Sequence, residues 1–237
     1  MNTIKIDKYF KGMVANRGLS GIETENTIFA FLAAANRSYF GISTDLNASK
    51  DNKIIVTRDD TLLRLGLLNL YIPSFSYDEL KKFALVDRKT ANLNSNLFIP
   101  LFSDFLAIAS TYRKRAFLRL GKYLKYNHLD SIIYEIEEYS NSVYFISNNR
   151  KILLYLNKKI NKNNIFLAVE KADEEVFDFC KKNGFNLHIE ASNLDKEIVK
   201  NMHLLGLKVS VEVVNDKVLA EKLIKLGVDY VFTDILE

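Results

Sequence analysis

Short apolar runs recur along the chain, and most of them are separated by enough residues for one helix. They number eight and cover residues 12–16, 40–46, 116–121, 143–147, 165–169, 185–190, 207–214 and 228–234. Three of the amphipathic segments between them close on Gly184, Gly206 and Gly227, as helix C-termini do. Strands alternating with helices predict a parallel sheet, and eight strands favour closure into a (β/α)8 barrel. An open doubly wound sheet is the alternative, but its glycine-rich turn is missing after the first run.

The stretch that begins in the second run departs from this pattern. It reads "STDLNASKDNKIIVTRDD" (43–60), and its two apolar parts are too close together for a crossover helix, so they predict an antiparallel hairpin. With the turn at Asp51 and Asn52, Asp45 is expected opposite Arg58, at the C-terminal mouth of the barrel. Residues 66–109 are expected to form an insertion that overhangs this mouth.

Composition limits the class of protein. With 48% hydrophobic and 26% charged residues, the 237-residue chain is predicted to form one domain over residues 1–237. The net charge of +4 is spread along the chain, so nucleic-acid binding is not expected. No apolar run approaches the roughly 18 residues of a membrane span, and the N-terminus lacks a secretory apolar region, so we expect a cytoplasmic location. Cys180, the single cysteine, is expected to be a buried thiol.

Five stretches, in this order and spacing, resemble the glycerophosphodiester phosphodiesterase family. They are "NRGLSGIETENTIFAF" (16–31), "GISTDLNASKDNKIIVTRDDTLLR" (41–64), "YDELKKF" (77–83), "IPLFSDFL" (99–106) and "LKVSVEVVNDKVLAEKLIKLGVDYVFTD" (207–234). The resemblance implies a TIM barrel and a role in lipid and glycerol metabolism. It also implies a calcium or magnesium ion held by three carboxylates, and two histidines acting as acid and base on a glycerol phosphodiester.

The positions that match the family's catalytic groups carry other residue types. The two histidines fall on Asn16 and Arg58, and the three metal carboxylates fall on Ser43, Asp45 and Arg119. Neither an amide nor a guanidinium transfers a proton near neutral pH, so acid–base catalysis worth about 10²–10⁴-fold is lost. At about 5 Å and an effective dielectric near 20, one arginine repels a dication by on the order of 6 kcal/mol. No metal or other cofactor is therefore expected.

The charged residues predict an anion site instead. The family's phosphate-contacting arginine matches Arg17, which with Arg58 and Arg119 outweighs Asp45 and predicts a net positive pocket. The family lysine falls on Gly121. The remaining expected lining residues are Glu25 with Asn26, Glu190, and Glu212, which falls at or beside the family's tryptophan.

A purely structural role remains the alternative for each of these residues. Arg58 and Arg119 could pair with Asp45, Glu190 or Glu212 and merely fill a vacated cavity. Glu25 could serve only the start of the first helix, with Thr24 as its cap. The three histidines, His128, His188 and His203, are expected to be structural.

Three functional hypotheses follow. The leading one is a pseudoenzyme that binds a small phosphorylated ligand or a protein partner. The alternative is an active phosphoric diester hydrolase with rearranged machinery built from Asp45, Glu190 or Glu212, in which case calcium or magnesium would be its cofactor. The third is a structural role, in which the insertion contacts a protein partner or a second copy of the chain.

Overall fold

Eight parallel strands close into a barrel in the computed structural model, which describes residues 2–7, 9–137, 139 and 142–237. The strands are β1 (Met13–Ala15), β2 (Gly41–Ala48), β3 (Ile54–Val56), β4 (Leu85–Val86), β5 (Leu93–Asn94), β6 (Arg115–Leu120), β7 (Val143–Ser147), β8 (Ile165–Val169), β9 (Asn186–Glu190), β10 (Val209–Glu212) and β11 (Tyr230–Thr233). The α-helices are α1 (Ile28–Ala35), α2 (Leu63–Gly66), α3 (Tyr77–Leu80), α4 (Phe102–Thr111), α5 (Tyr126–Ile136), α6 (Arg150–Leu156), α7 (Glu174–Asn183), α8 (Lys196–Leu204) and α9 (Lys217–Leu226).

Strand pairing decides between the barrel and the open sheet. Around the barrel the order is β1, β11, β10, β9, β8, β7, β6 and β2, and β1 also pairs in parallel with β2. Because the strands at the two ends of this order, β1 and β2, pair with each other, the barrel has no open edge. The predicted TIM barrel is therefore confirmed, with β3 as an extra strand outside it.

Two apolar layers stabilise the barrel. Its interior is filled mainly by aromatic side chains, in which Phe117 stacks on Tyr144 with ring centroids 4.5 Å apart and meets Phe232 edge-on at 5.3 Å. A larger layer of aliphatic and aromatic residues lies between the strands and the outer helices. Because the interior is packed, polar chemistry is confined to the two ends of the barrel.

The hairpin register predicted from the sequence is wrong by one residue. Leu46 pairs with Val56, and Asp45 faces Thr57 rather than Arg58, since the Thr57 N–H donates to the Asp45 carbonyl at 3.0 Å. The turn has three residues rather than two, because Asn52 adopts a left-handed φ of 60° and its N–H donates to Ser49. Three-residue hairpin loops commonly end on such a residue.

The insertion is shorter than predicted. Residues 102–109 belong to α4, which packs against α1 and against β6 and therefore serves as the crossover helix between β2 and β6. The preceding segment contacts the loop between β1 and α1, since the Thr24 hydroxyl donates to the Val86 carbonyl at 2.8 Å. The predicted insertion is thus wrong at its end, and its overhang of the mouth stays a prediction.

The other structural predictions hold in detail. Gly184 and Gly227 are left-handed C-caps of α7 and α9, and Gly206 has a φ of 70° one residue after the C-cap of α8. Cys180 is fully buried, and burial raises the pKa of its thiol to about 12. The thiol therefore stays protonated and packs as an apolar side chain. No helix in the described residues is long and apolar enough to cross a membrane.

Candidate functional site

A cavity of about 710 Å³ opens at the C-terminal mouth of the barrel. It brings together most of the residues singled out from the sequence. They are Asn16, Arg17, Asp45, Arg58, Arg119, Glu190 and Glu212. A second cavity of about 480 Å³ adjoins it and shares Asp45, Arg58 and Arg119. The two cavities therefore meet at Asp45 and Arg119, where the resemblance places metal carboxylates, and at Arg58, where it places a histidine.

The loop after β1 fixes the position of Arg17. Arg17 and Gly18 both have positive φ, 55° and 77°, so the chain turns sharply at the strand end. Gly18 is required there, because a Cβ would lie 2.6 Å from the Ala30 backbone. The Arg17 N–H donates to the Ser43 hydroxyl at 3.0 Å, and the Asn26 N–H donates to the Arg17 carbonyl at 2.9 Å. The Arg17 side chain is thus anchored beside β2.

Asp45 is already neutralised by protein groups. Its Oδ2 accepts from Arg17 Nε at 2.9 Å and from Asn26 Nδ2 at 2.9 Å. Burial opposes the charge of Arg17, but the carboxylates of Asp45 and Glu25 outweigh it and raise the pKa of the guanidinium. The Asp45 carboxylate therefore forms a structural ion pair with Arg17.

Glu25 extends that ion pair toward the insertion. It lies 3.4 Å from Arg17 Nη1 and accepts from Arg64 Nη2 at 2.8 Å. Burial would raise the pKa of Glu25, but Arg64 and Arg17 together lower it. Thr24 does not cap α1, because Thr27 does, and Glu25 lies outside the first turn of that helix. Glu25 links the loop after β1 to α2 through Arg64.

The guanidinium of Arg119 occupies the opposite wall. It forms an ion pair with Glu212 on β10 and lies over the Phe232 ring, 5.1 Å from its centroid. Burial would raise the pKa of Glu212, but His188 and Arg119 outweigh it, so the pKa is well below its usual range. This strand-to-strand pair crosses the barrel axis from β6 to β10. The ion-network alternative therefore holds for Arg119, whereas Arg58 forms no ion pair with a described residue.

His188 lies beneath this pair and has a polar neighbour at each ring nitrogen. Its Nε2 is 3.1 Å from Glu212 Oε1 and its Nδ1 is 2.8 Å from the Ser210 hydroxyl. Burial lowers the pKa of His188, which favours the neutral ring. His128 and His203 lie on α5 and α8 and do not line either mouth cavity. None of the three histidines lines either mouth cavity, and their structural role stays a prediction.

Asp234 is the acidic lining residue that sequence reasoning missed. It directly follows β11, so the end of the eighth run, "FTD", was a usable signal. Its Oδ1 accepts from Asn16 Nδ2 and from the Ser20 hydroxyl, both at 2.8 Å, and its Oδ2 accepts from Asn215 at 2.8 Å. The asparagine at the first histidine position is therefore a hydrogen-bond donor to a carboxylate.

The expectation of a net positive pocket is corrected by these carboxylates. Three arginines line the larger cavity, but they face four acidic residues. These are Asp45, Glu190, Glu212 and Asp234. Arg58 differs from the other two arginines, because it is exposed and makes no hydrogen bond or ion pair with a described residue. Arg58 is thus the cation of this cavity that remains available to a ligand.

The residues present do not fit the divalent ion that the resemblance implies. Ser43 is fully buried and its hydroxyl accepts from Arg17, Asp45 is paired, and Arg119 brings a positive charge to the third position. Among residues 2–7, 9–137, 139 and 142–237, no three acidic, histidine or cysteine side chains are grouped so as to hold a metal ion. Hard cations need several oxygen ligands, and this donor set does not supply them.

Comparison with known proteins identifies the family to which this barrel belongs. The sequence pattern of the glycerophosphoryl diester phosphodiesterase family matches residues 17–237. The chain belongs to this family. Relatives include the uncharacterized protein YqiK of Bacillus subtilis, 25% identical with 94% of each chain covered, and a glycerophosphodiester phosphodiesterase of Bacillus altitudinis, 25% identical with 93% of each covered.

Solved structures share the fold. A phosphodiesterase of Oleispira antarctica, determined in complex with its product sn-glycerol-3-phosphate, superposes with a TM-score of 0.86. Its identity is 22%, and the match covers 97% of this chain and 95% of that one. A glycerophosphodiester phosphodiesterase of Thermotoga maritima gives a TM-score of 0.76 at 23% identity, covering 94% and 93%. At these identities, the likeness supports the barrel and its closure.

Proposed function

We propose that this family member binds a small phosphorylated ligand at the barrel mouth and lacks the metal-dependent acid–base hydrolysis of its family. The observation that carries the proposal is the Arg119 guanidinium, held by Glu212 where the resemblance places a metal carboxylate. An arginine at this point repels a dication and attracts an anion. Asn16 and Arg58, at the two histidine positions, supply no titratable group near neutral pH.

Arg58 supports the anion-binding half of the proposal. It is exposed on the wall shared by both cavities and makes no hydrogen bond or ion pair with a described residue, although its charge contributes to lowering the pKa of Glu25. Arg119 lines the same wall, but its Nε is buried and is therefore not offered to a ligand in the cavity. Planar guanidinium forks match the oxygens of a phosphate, and hydrogen bonds between charged groups contribute about 1.5–3 kcal/mol each. The four carboxylates of the cavity oppose binding, so the ligand depends mainly on Arg58.

The binding test uses sn-glycerol 3-phosphate as the probe. Calorimetric titration should give saturable binding that Arg58→Ala weakens by about 10–100-fold, which corresponds to the loss of one charged hydrogen bond. Arg113→Ala is the matched control, because Arg113 is exposed just before β6 at the other end of the barrel and should leave the Kd unchanged. Equal effects of the two variants would contradict a site at Arg58.

The activity test uses glycerophosphocholine with calcium or magnesium. We expect no release of glycerol 3-phosphate above that from buffer alone, because the mouth has neither the acid–base pair nor the metal ligands. Turnover that disappears in Asp45→Asn would instead establish the alternative, an active hydrolase with rearranged acids. Turnover unaffected by Asp45→Asn would point to a contaminating enzyme, since Asp45 lies in both cavities.

A further inference from the structure

A leucine-rich loop stands beside the barrel mouth. The sequence "LLRLGLLNL" (62–70), named here the leucine loop, contains six leucines in nine residues. Its ends are tied by the bridge between Thr61 and Tyr71 and by the Leu62 N–H, which donates to the Leu70 carbonyl at 3.1 Å. The loop is therefore a closed and ordered unit rather than a free segment.

The six leucines divide into two sets. Leu62, Leu65 and Leu70 pack into the apolar cluster of the insertion. The outward set is largely exposed, and Leu67 is its most exposed member at 61%. It consists of Leu63, Leu67 and Leu68. The packed set fixes the loop, so the outward set is presented to the surroundings without being required by the core.

The surroundings of the loop are aromatic and carry charges of both signs. Tyr71 and Tyr123 are both exposed, with ring centroids 6.4 Å apart, and Lys122 Nζ lies 4.6 Å from the Tyr123 ring centroid and 3.5 Å from Asp60. Arg64, inside the loop, is paired with Asp59 and Glu25. Arg58, in the neighbouring wall, is a cation that makes no ion pair with a described residue.

We propose that the leucine loop docks onto the surface of a lipid bilayer, with the barrel mouth turned toward the lipid headgroups. Exposed leucines enter the boundary between headgroups and acyl chains, tyrosines settle at the headgroup level, and Arg58 extends to a lipid phosphate. A bilayer is favoured over a protein partner because one compact surface carries all three kinds of side chain. This proposal is independent of what occupies the cavity.

A tryptophan reporter tests the docking directly. The chain contains no tryptophan, so Leu68→Trp creates a single fluorophore in the loop. With vesicles of equal parts phosphatidylglycerol and phosphatidylcholine, its emission should shift to the blue and be quenched by brominated acyl chains. The matched control is Leu204→Trp, because Leu204 is 75% exposed on α8, and it should show neither effect. An unchanged emission in Leu68→Trp, or equal changes in both variants, would overturn the proposal.

Removal of two exposed leucines provides a second test of the docking proposal. Leu67→Ser combined with Leu68→Ser should lower vesicle co-sedimentation by about tenfold or more, since each lost leucine removes several buried methylene groups. Leu204→Ser should leave it unchanged. Circular dichroism of the double variant verifies the fold, because neither exposed leucine belongs to the insertion core. If the double variant instead converts a dimer to a monomer and no form binds vesicles, the loop is an interface between copies and the bilayer proposal is wrong.

Discussion

Replacing Arg119 by methionine is the perturbation whose size follows most directly from the structure. Two unit charges 4 Å apart attract by about 4 kcal/mol at an effective dielectric near 20, and breaking a buried pair costs about 3–5 kcal/mol. The side chains of Arg119 and Glu212 are 15% and 24% exposed, so solvent screens the pair in part. Glu212 also keeps His188 at 3.1 Å. We therefore expect a loss of about 2–3 kcal/mol in the free energy of unfolding.

Urea unfolding at pH 7, followed by circular dichroism, measures this loss as a lower midpoint at unchanged slope. Arg58→Met is the matched control and should change stability by less than about 0.5 kcal/mol, because Arg58 is exposed and has no partner in the described chain. Adding Glu212→Gln to Arg119→Met should restore part of the loss, because no unpaired carboxylate remains. Equal effects of Arg119→Met and Arg58→Met would refute the assignment of the ion pair.

The loss of unfolding free energy in Arg119→Met should depend on pH, because Glu212 is charged only above its pKa. The pKa of Glu212 in the folded protein lies below its usual 4.5, so its contribution is complete above pH 4.5 and is lost as the pH falls. The gap between wild type and Arg119→Met should therefore narrow below pH 4.5. The pKa of His188 is lowered from its usual 6.5 by burial, so wild-type stability should begin to fall once the pH drops below 6.5. A gap that widens in acid would contradict the pairing.

Further substitutions are expected to change the same unfolding free energy. Asn16→Ala should cost about 1–3 kcal/mol, because it removes a donor 2.8 Å from Asp234 and leaves that carboxylate less satisfied. Gly121→Ala should cost about 1–3 kcal/mol, because its Cβ would lie 2.7 Å from the Leu46 carbonyl oxygen. Leu67→Gly should instead stabilise the protein by about 0.5–1 kcal/mol, since the leucine has a φ of 57° that glycine adopts without strain. A urea midpoint that rises in Asn16→Ala or Gly121→Ala, or that falls in Leu67→Gly, would contradict the prediction for that variant.

The barrel could be predicted because its signal is periodic. Each of the eight apolar runs overlaps one parallel strand, and the glycines at 184 and 227 mark helix ends as expected. A strand buried on both faces must be apolar along its length, so its position can be read without knowledge of its neighbours. Closure follows from the number of such strands.

The hairpin and the insertion were less predictable for local reasons. The turn depends on Asn52 adopting a left-handed φ, and either a two-residue or a three-residue loop fits the same letters. Helix α4 begins after Leu101, whose side chain is not a polar cap, and so its start carries no hydroxyl signal. Its assignment as a crossover helix rests on contacts with α1, which are distant in sequence.

Most of the predicted residues do meet in one cavity, but Glu25 lines a separate one, and the pairing could not be predicted. Residues at the C-terminal ends of barrel strands must meet at one mouth, which is why Arg119, Glu190 and Glu212 converge. Partner choice depends on distances across the barrel, and Arg119 pairs with Glu212 although Asp45 and Glu190 line the same cavity. The number of carboxylates was underestimated because Asp234 matches no metal-binding position of the family.

Calorimetric titration of the wild-type protein with calcium chloride tests the central claim most directly. The claim is that a guanidinium paired with Glu212 has replaced the family's metal cage. We predict no saturable heat from calcium at concentrations where sn-glycerol 3-phosphate gives a binding isotherm. Stoichiometric calcium binding that is lost in Asp45→Asn would contradict the account, because it would show that Asp45 leaves Arg17 to ligate a cation beside Arg119.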